Sequence, residues 1–126
     1  MNKWLDRFAG PPLPFFTLCL TERDFRKTLK HIGIKEQVPF LSSHYADATT
    51  HRLDNSNGAL CAIVCLRSDG KREHGEVYGL LIHEAVHIWQ FHKAAIGDTP
   101  SHEAEAYGIQ WIAQQLIYEW ARQTHG

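Results

Sequence analysis

The chain has little of what marks several function classes. No long apolar run is present: the N-terminal "MNKWLDRFAGPPLPFFTLCL" is broken by Pro11, Pro12 and Pro14 and lacks a small-residue cleavage site. Nothing elsewhere approaches the roughly 20 apolar residues of a membrane-spanning helix, so the expectation is a cytoplasmic protein with no membrane partner. Charge of one sign is not in excess either. With 13 Lys+Arg against 14 Asp+Glu the formal net charge is -1, which implies no basic face and argues against a nucleic-acid partner. Cysteine is sparse: Cys19, Cys61 and Cys65 are odd in number and set among apolar residues. That excludes a fully paired disulfide framework and suits buried free thiols in a reducing compartment. Internal repeats and low-complexity tracts are absent.

What remains is ordinary globular composition with one anomaly. At 126 residues, 44% hydrophobic and 21% charged, the chain suffices for a single domain, residues 1–126, with one core. Histidine, however, occurs nine times, which raises the idea of a titrating or metal-binding site before any motif is read.

Residues 1–14 read as an extended, proline-rich arm, and "FFTLCL" (15–20) as a short apolar strand. Thr21 and Asp24 form a T-x-x-D cap for a helix near 22–31 that buries Phe25, Leu29 and Ile32, and Gly33 stops it. "YADATTHRL" (45–53) reads as a half-exposed strand and "DNSNG" (54–58) as a turn. "ALCAIVCL" (59–66) is apolar on both faces and is therefore expected inside a sheet. A charged loop (67–75) leads to a helix near 76–95, a short connection (96–100), and a last helix near 102–122 capped by Ser101. The order strand, helix, strand, strand, helix, helix predicts an α+β fold with a small, mostly antiparallel sheet packed on helices.

The chemistry lies in "LLIHEAVHIWQ" (80–90), a helical stretch whose apolar run is interrupted by His83, Glu84 and His87. Burying three such groups without partners is expensive. Positions i and i+4 share a helix face, so His83 and His87 can aim two imidazoles at one zinc ion, with Glu84 one step round as a base for water. With nine histidines and eight glutamates, H-E-x-x-H arises by chance in only about 4% of such chains. Zinc needs a third protein ligand, and the last helix offers one. Its apolar stripe is Ile109, Ile112, Leu116 and Trp120, and Glu105 falls about 30° from the centre of that stripe, against about 130° for Glu103. Glu105 is the inward carboxylate, with His102 as its rival and Glu103, Cys61 and Cys65 as further alternatives.

"HEAVH" followed by a helix with an inward glutamate resembles the zincin metallopeptidases, specifically the gluzincins. The run "HEAVHIWQ…SHEAEAYGIQWIAQQL" is also similar to small metallopeptidase-like proteins of phages and prophages; the resemblance covers residues 76–121. It implies a minimal zincin-like domain with a Zn2+ cofactor held by His83, His87 and Glu105, with Glu84 as general base. A peptide or protein would be the substrate. The thermolysin-like third-ligand pattern is incomplete, because Ala104 precedes Glu105 and Ile109 stands at the aspartate position. The metzincin pattern fails at Gln90 and Lys93. Tyr107 is the first candidate for stabilising the oxyanion, with His44, Tyr45 and His74 behind it. Gln90 is expected to line the cleft. Two other functions fit the motif: an interaction protein with a structural zinc, marked by a fourth protein ligand, and hydrolysis of a non-peptide amide. The oligomeric state is open.

Overall fold

The computed structural model describes residues 2–5, 13–68, 72–97 and 101–125. Parts of the N-terminal arm (6–12), the charged loop (69–71) and the connection before the last helix (98–100) lie outside the described residues. The elements are β1 (Phe15–Cys19), α1 (Glu22–Ile32), β2 (Ala48–Asp54), β3 (Leu60–Leu66), α2 (His74–Ile96) and α3 (His102–His125). The fold is α+β, and its three-stranded sheet is mixed, with order β1-β3-β2. β1 runs parallel to β3 (Phe16 opposite Ala62), and β2 antiparallel to it (Thr50 opposite Val64). The strand read as apolar on both faces is the central one.

That position gives the molecule three layers. Side chains alternate along a strand, so Cys61, Ile63 and Cys65 face one side of the sheet and Ala62, Val64 and Leu66 the other. The first set joins Cys19, Phe25, Leu29 and Ile32 beneath α1. The second joins Phe16, Leu18, Leu81, Ile88, Ile112 and Leu116 beneath α2 and α3. α1 is well capped: Thr21 accepts from the Asp24 N–H, and Gly33 closes the helix at φ 85°, a left-handed conformation that favours glycine.

α2 has the glycine stop, Gly97 at φ 68°, but lacks the N-terminal help, since Glu73 makes no side-chain cap. A missing cap costs about 1 kcal/mol, whereas each fully buried large apolar side chain contributes about 1.5–3 kcal/mol. Burial of Val77, Leu81, Ala85, Ile88 and Trp89 therefore holds α2 in place. The boundaries depart modestly from expectation. β2 starts at Ala48 because His44 and Tyr45 form a turn, closed by the Ala46 N–H on the Ser43 carbonyl at 3.1 Å. α2 begins at His74 and α3 continues to His125.

The N-terminal residues are tied to the sheet. Leu5 N–H donates to the Phe16 carbonyl at 2.8 Å, and the Lys3 carbonyl accepts from the Thr17 hydroxyl at 2.7 Å. Beside them the buried Glu119 carboxylate accepts two bonds of 2.6 Å from Arg122, one of 2.7 Å from Gln123 and one of 3.3 Å from Lys3 N–H. Burial alone would raise the pKa of Glu119, but these donors hold it below the ordinary carboxylate value.

Candidate metal centre

α2 divides its circumference among three neighbours. Leu81 and Ile88 turn to the sheet, Ala85 and Trp89 lie toward α3, and His83, Glu84 and His87 face a cleft bordered by β2. The cleft has a volume of about 810 Å3. Ser42, Asp47, Ala48, Thr49 and Thr50 form one wall, and Glu76, Gly79, Leu80, the three motif residues and Phe91 the other. Arg72 lines it near the start of α2, where it pairs with Asp47 at 2.6 Å and donates to the Arg67 carbonyl at 2.6 Å.

Among the described residues, His83, Glu84 and His87 are the group able to hold a metal ion, with ligand atoms all within 4.8 Å of one another. The Nε2 atoms of His83 and His87 are 3.2 Å apart. Two zinc–nitrogen bonds of about 2.0–2.1 Å at a tetrahedral angle require a separation of about 3.3 Å, so the pair has the spacing of one edge of a zinc tetrahedron. His87 Nδ1 lies 3.0 Å from Gln90 Oε1. With Nδ1–H donating to that amide oxygen, the lone pair of His87 is on Nε2, where a metal would need it. Gln90 thus orients a histidine and does not itself line the cleft.

Glu84 differs from both histidines in being 4% exposed. Its Oε1 accepts a 3.0 Å bond from the Thr50 hydroxyl. No buried side-chain oxygen among the described residues lacks a partner, and Glu84 lines the cleft, so its second oxygen is the one open to the cleft.

The residues expected on α3 are not brought to this group. Glu105 accepts a 3.0 Å bond from Trp89 Nε1 and pairs with Lys93 at 3.5 Å. The Trp89 bond, assisted by Lys93, lowers its pKa. The reason is rotational: Trp89 stands about 140° round α2 from the mean direction of His83 and His87. A carboxylate inward on α3 therefore meets the opposite side of α2. Tyr107 is 62% exposed and is not among the cleft residues.

The alternatives fare similarly. His102 and Glu103 are exposed in the first turn of α3. Cys61 and Cys65 lie on the α1 side of the sheet, across it from α2, and burial pushes the Cys65 thiol far up in pKa and that of Cys19 up to about 12. His44 lies tilted against the 86% exposed Tyr45, and His74 packs edge-on against Trp120. None of these lines the cleft.

Thr50 and the Arg72–Asp47 pair were not singled out by sequence reasoning. Alternation along β2 puts Thr50 on one face with Ala48, but only the sheet order reveals that this face meets α2. No family model, curated protein or solved structure matches the chain.

Proposed function

We propose that the protein is a zinc-dependent metallopeptidase in which His83 and His87 hold the metal and Glu84 is the general base. The observation that carries this reading is the 3.2 Å separation of the two Nε2 atoms beside a buried carboxylate. A structural zinc site is closed by four protein ligands, whereas here the pair opens onto a cleft and His83 is exposed. When bound, zinc supplies Lewis-acid polarisation of a carbonyl and lowers the pKa of water.

The remaining work falls to the chain. β2 is an edge strand, and its residues Ala48–Thr50 border the cleft. An extended peptide can pair with that edge and carry its scissile carbonyl past the histidines. Glu84, at its cleft-facing oxygen, takes a proton from the attacking water and returns it to the leaving amine. For Glu105 to serve as the third ligand, it would have to release Trp89 and Lys93.

The test is Glu84→Gln, which keeps size and hydrogen bonding but removes the base. Zinc content and melting temperature should persist while hydrolysis of a peptide library falls by at least about a hundredfold. Equal cleavage by wild type and variant would remove Glu84 from the mechanism.

A further inference from the structure

Resting on that reading, we infer that Thr50 is the positioning residue for the Glu84 base, and that its hydroxyl assigns the two carboxylate oxygens different tasks. A carboxylate buried to 4% exposure is costly to keep without donors, and among the described residues Thr50 is the side chain that donates to it. The bond fixes Oε1. Rotation of the carboxylate about its last torsion is otherwise broad, so a single anchored oxygen sets where the other points. The free oxygen is then held toward the cleft that His83 and His87 also line.

The anchor comes from a particular place. Thr50 lies opposite Val64 in the antiparallel register, which turns its side chain to the α2 face of the sheet. Its neighbours cannot substitute. His51 points to the other face, stacked on Phe25 at 4.9 Å, and the Thr49 hydroxyl lies 2.9 Å from the Ser42 N–H and 3.3 Å from the Ser42 hydroxyl. A one-residue slip of β2 would remove the hydroxyl from Glu84 altogether. The strand whose free edge would seat a peptide is thus also the strand that orients the base.

Thr50→Val, isosteric and β-branched, separates this role from a structural one. In the zinc-loaded protein it should lower kcat by about tenfold or more while KM stays within about twofold and zinc content is unchanged. Thr50→Ser, which restores the hydroxyl, should recover kcat to within about threefold. A second readout needs neither metal nor substrate. Carbon-13 relaxation of the Glu84 side chain in zinc-free protein should show its order lost in Thr50→Val and kept in Thr50→Ser. Unchanged Glu84 order in the valine variant overturns the assignment, as does a loss confined to KM or a serine variant no better than valine. A valine variant that fails to fold makes the hydroxyl structural and also overturns it. If zinc-loaded wild type cleaves no peptide, the peptidase reading falls, and the relaxation data alone decide for or against Thr50.

Discussion

Gly79 in α2 and Gly108 in α3, each inside a long helix, should respond to alanine in opposite directions. Gly108 lies on α3 where it crosses α2, and a Cβ added there would run into the indole of Trp89, 2.7 Å from Cε3 and nearer still to Cζ3. The indole has little freedom to yield. It is buried, tilted against His92 at 5.1 Å, and anchored by its N–H to Glu105 at 3.0 Å. Overpacking of this kind costs about 1–3 kcal/mol, and displacing the ring would forfeit about 1 kcal/mol more from the hydrogen bond. Against that, alanine in a helix interior gains about 1 kcal/mol over glycine. The net is a loss of about 1–3 kcal/mol for Gly108→Ala. In a domain of this size each kcal/mol moves Tm by about 3–5 °C, so a fall of about 3–15 °C is expected.

Gly79, by contrast, has nothing within 4 Å of an added Cβ. Gly79→Ala should keep the propensity gain and raise stability by about 0.5–1 kcal/mol. Urea unfolding of the two variants beside wild type measures both effects. A Gly108→Ala protein as stable as wild type would mean that the α2–α3 crossing is not the close contact described, and with it the face of α2 that α3 covers would be in doubt.

The other expectations concern the metal and the N-terminal tie. Protein purified without chelator should carry about one zinc per chain, read by elemental analysis, and His83→Ala or His87→Ala should abolish it. Glu105→Ala should leave zinc affinity nearly unchanged by calorimetry while lowering stability modestly through the lost Trp89 bond; a fall in affinity by orders of magnitude would instead make Glu105 a ligand. Glu119→Gln should cost about 2 kcal/mol near neutral pH in urea melts, less than a fully buried pair because Arg122 is 41% exposed. Since the folded pKa of Glu119 is depressed, its contribution is present above the unfolded value of about 4.3 and is lost as pH falls through the folded one. The stability gap between wild type and Glu119→Gln should therefore narrow below about pH 4; a gap independent of pH would refute the ionic origin.

Much of the fold could be read from local signals because local physics decides it. The Thr21 cap, the Gly33 stop and the apolar run of β3 act over a few residues, and each sits where its chemistry requires. The central position of β3 followed from its being apolar on both faces. Parallel pairing of β1 with β3 did not follow, because nothing in either strand encodes the direction of its neighbour; the α1 crossover does not require it either. The start of β2 was misjudged for a related reason. Tyr45 has high strand propensity, but at 86% exposure in a turn its ring is buried too little to reward extension.

The site divides along the same line. His83, Glu84 and His87 were legible because helix geometry alone brings i and i+4 together. A third ligand depends on which side of α2 each neighbour covers, and periodicity carries no such information. The stripe of α3 correctly makes Glu105 an inward-leaning residue, but inward means toward the α2–α3 seam. There the carboxylate meets an indole N–H and a lysine, and these partners explain a half-buried acid without any metal. Thr50 shows the converse. A threonine in a half-exposed strand has no distinguishing signal in sequence, yet the register opposite Val64 turns it to the one face where a buried carboxylate needs a donor. Residues that create a site within one element can be read from spacing; residues that orient it across elements become visible only once the layers are assembled.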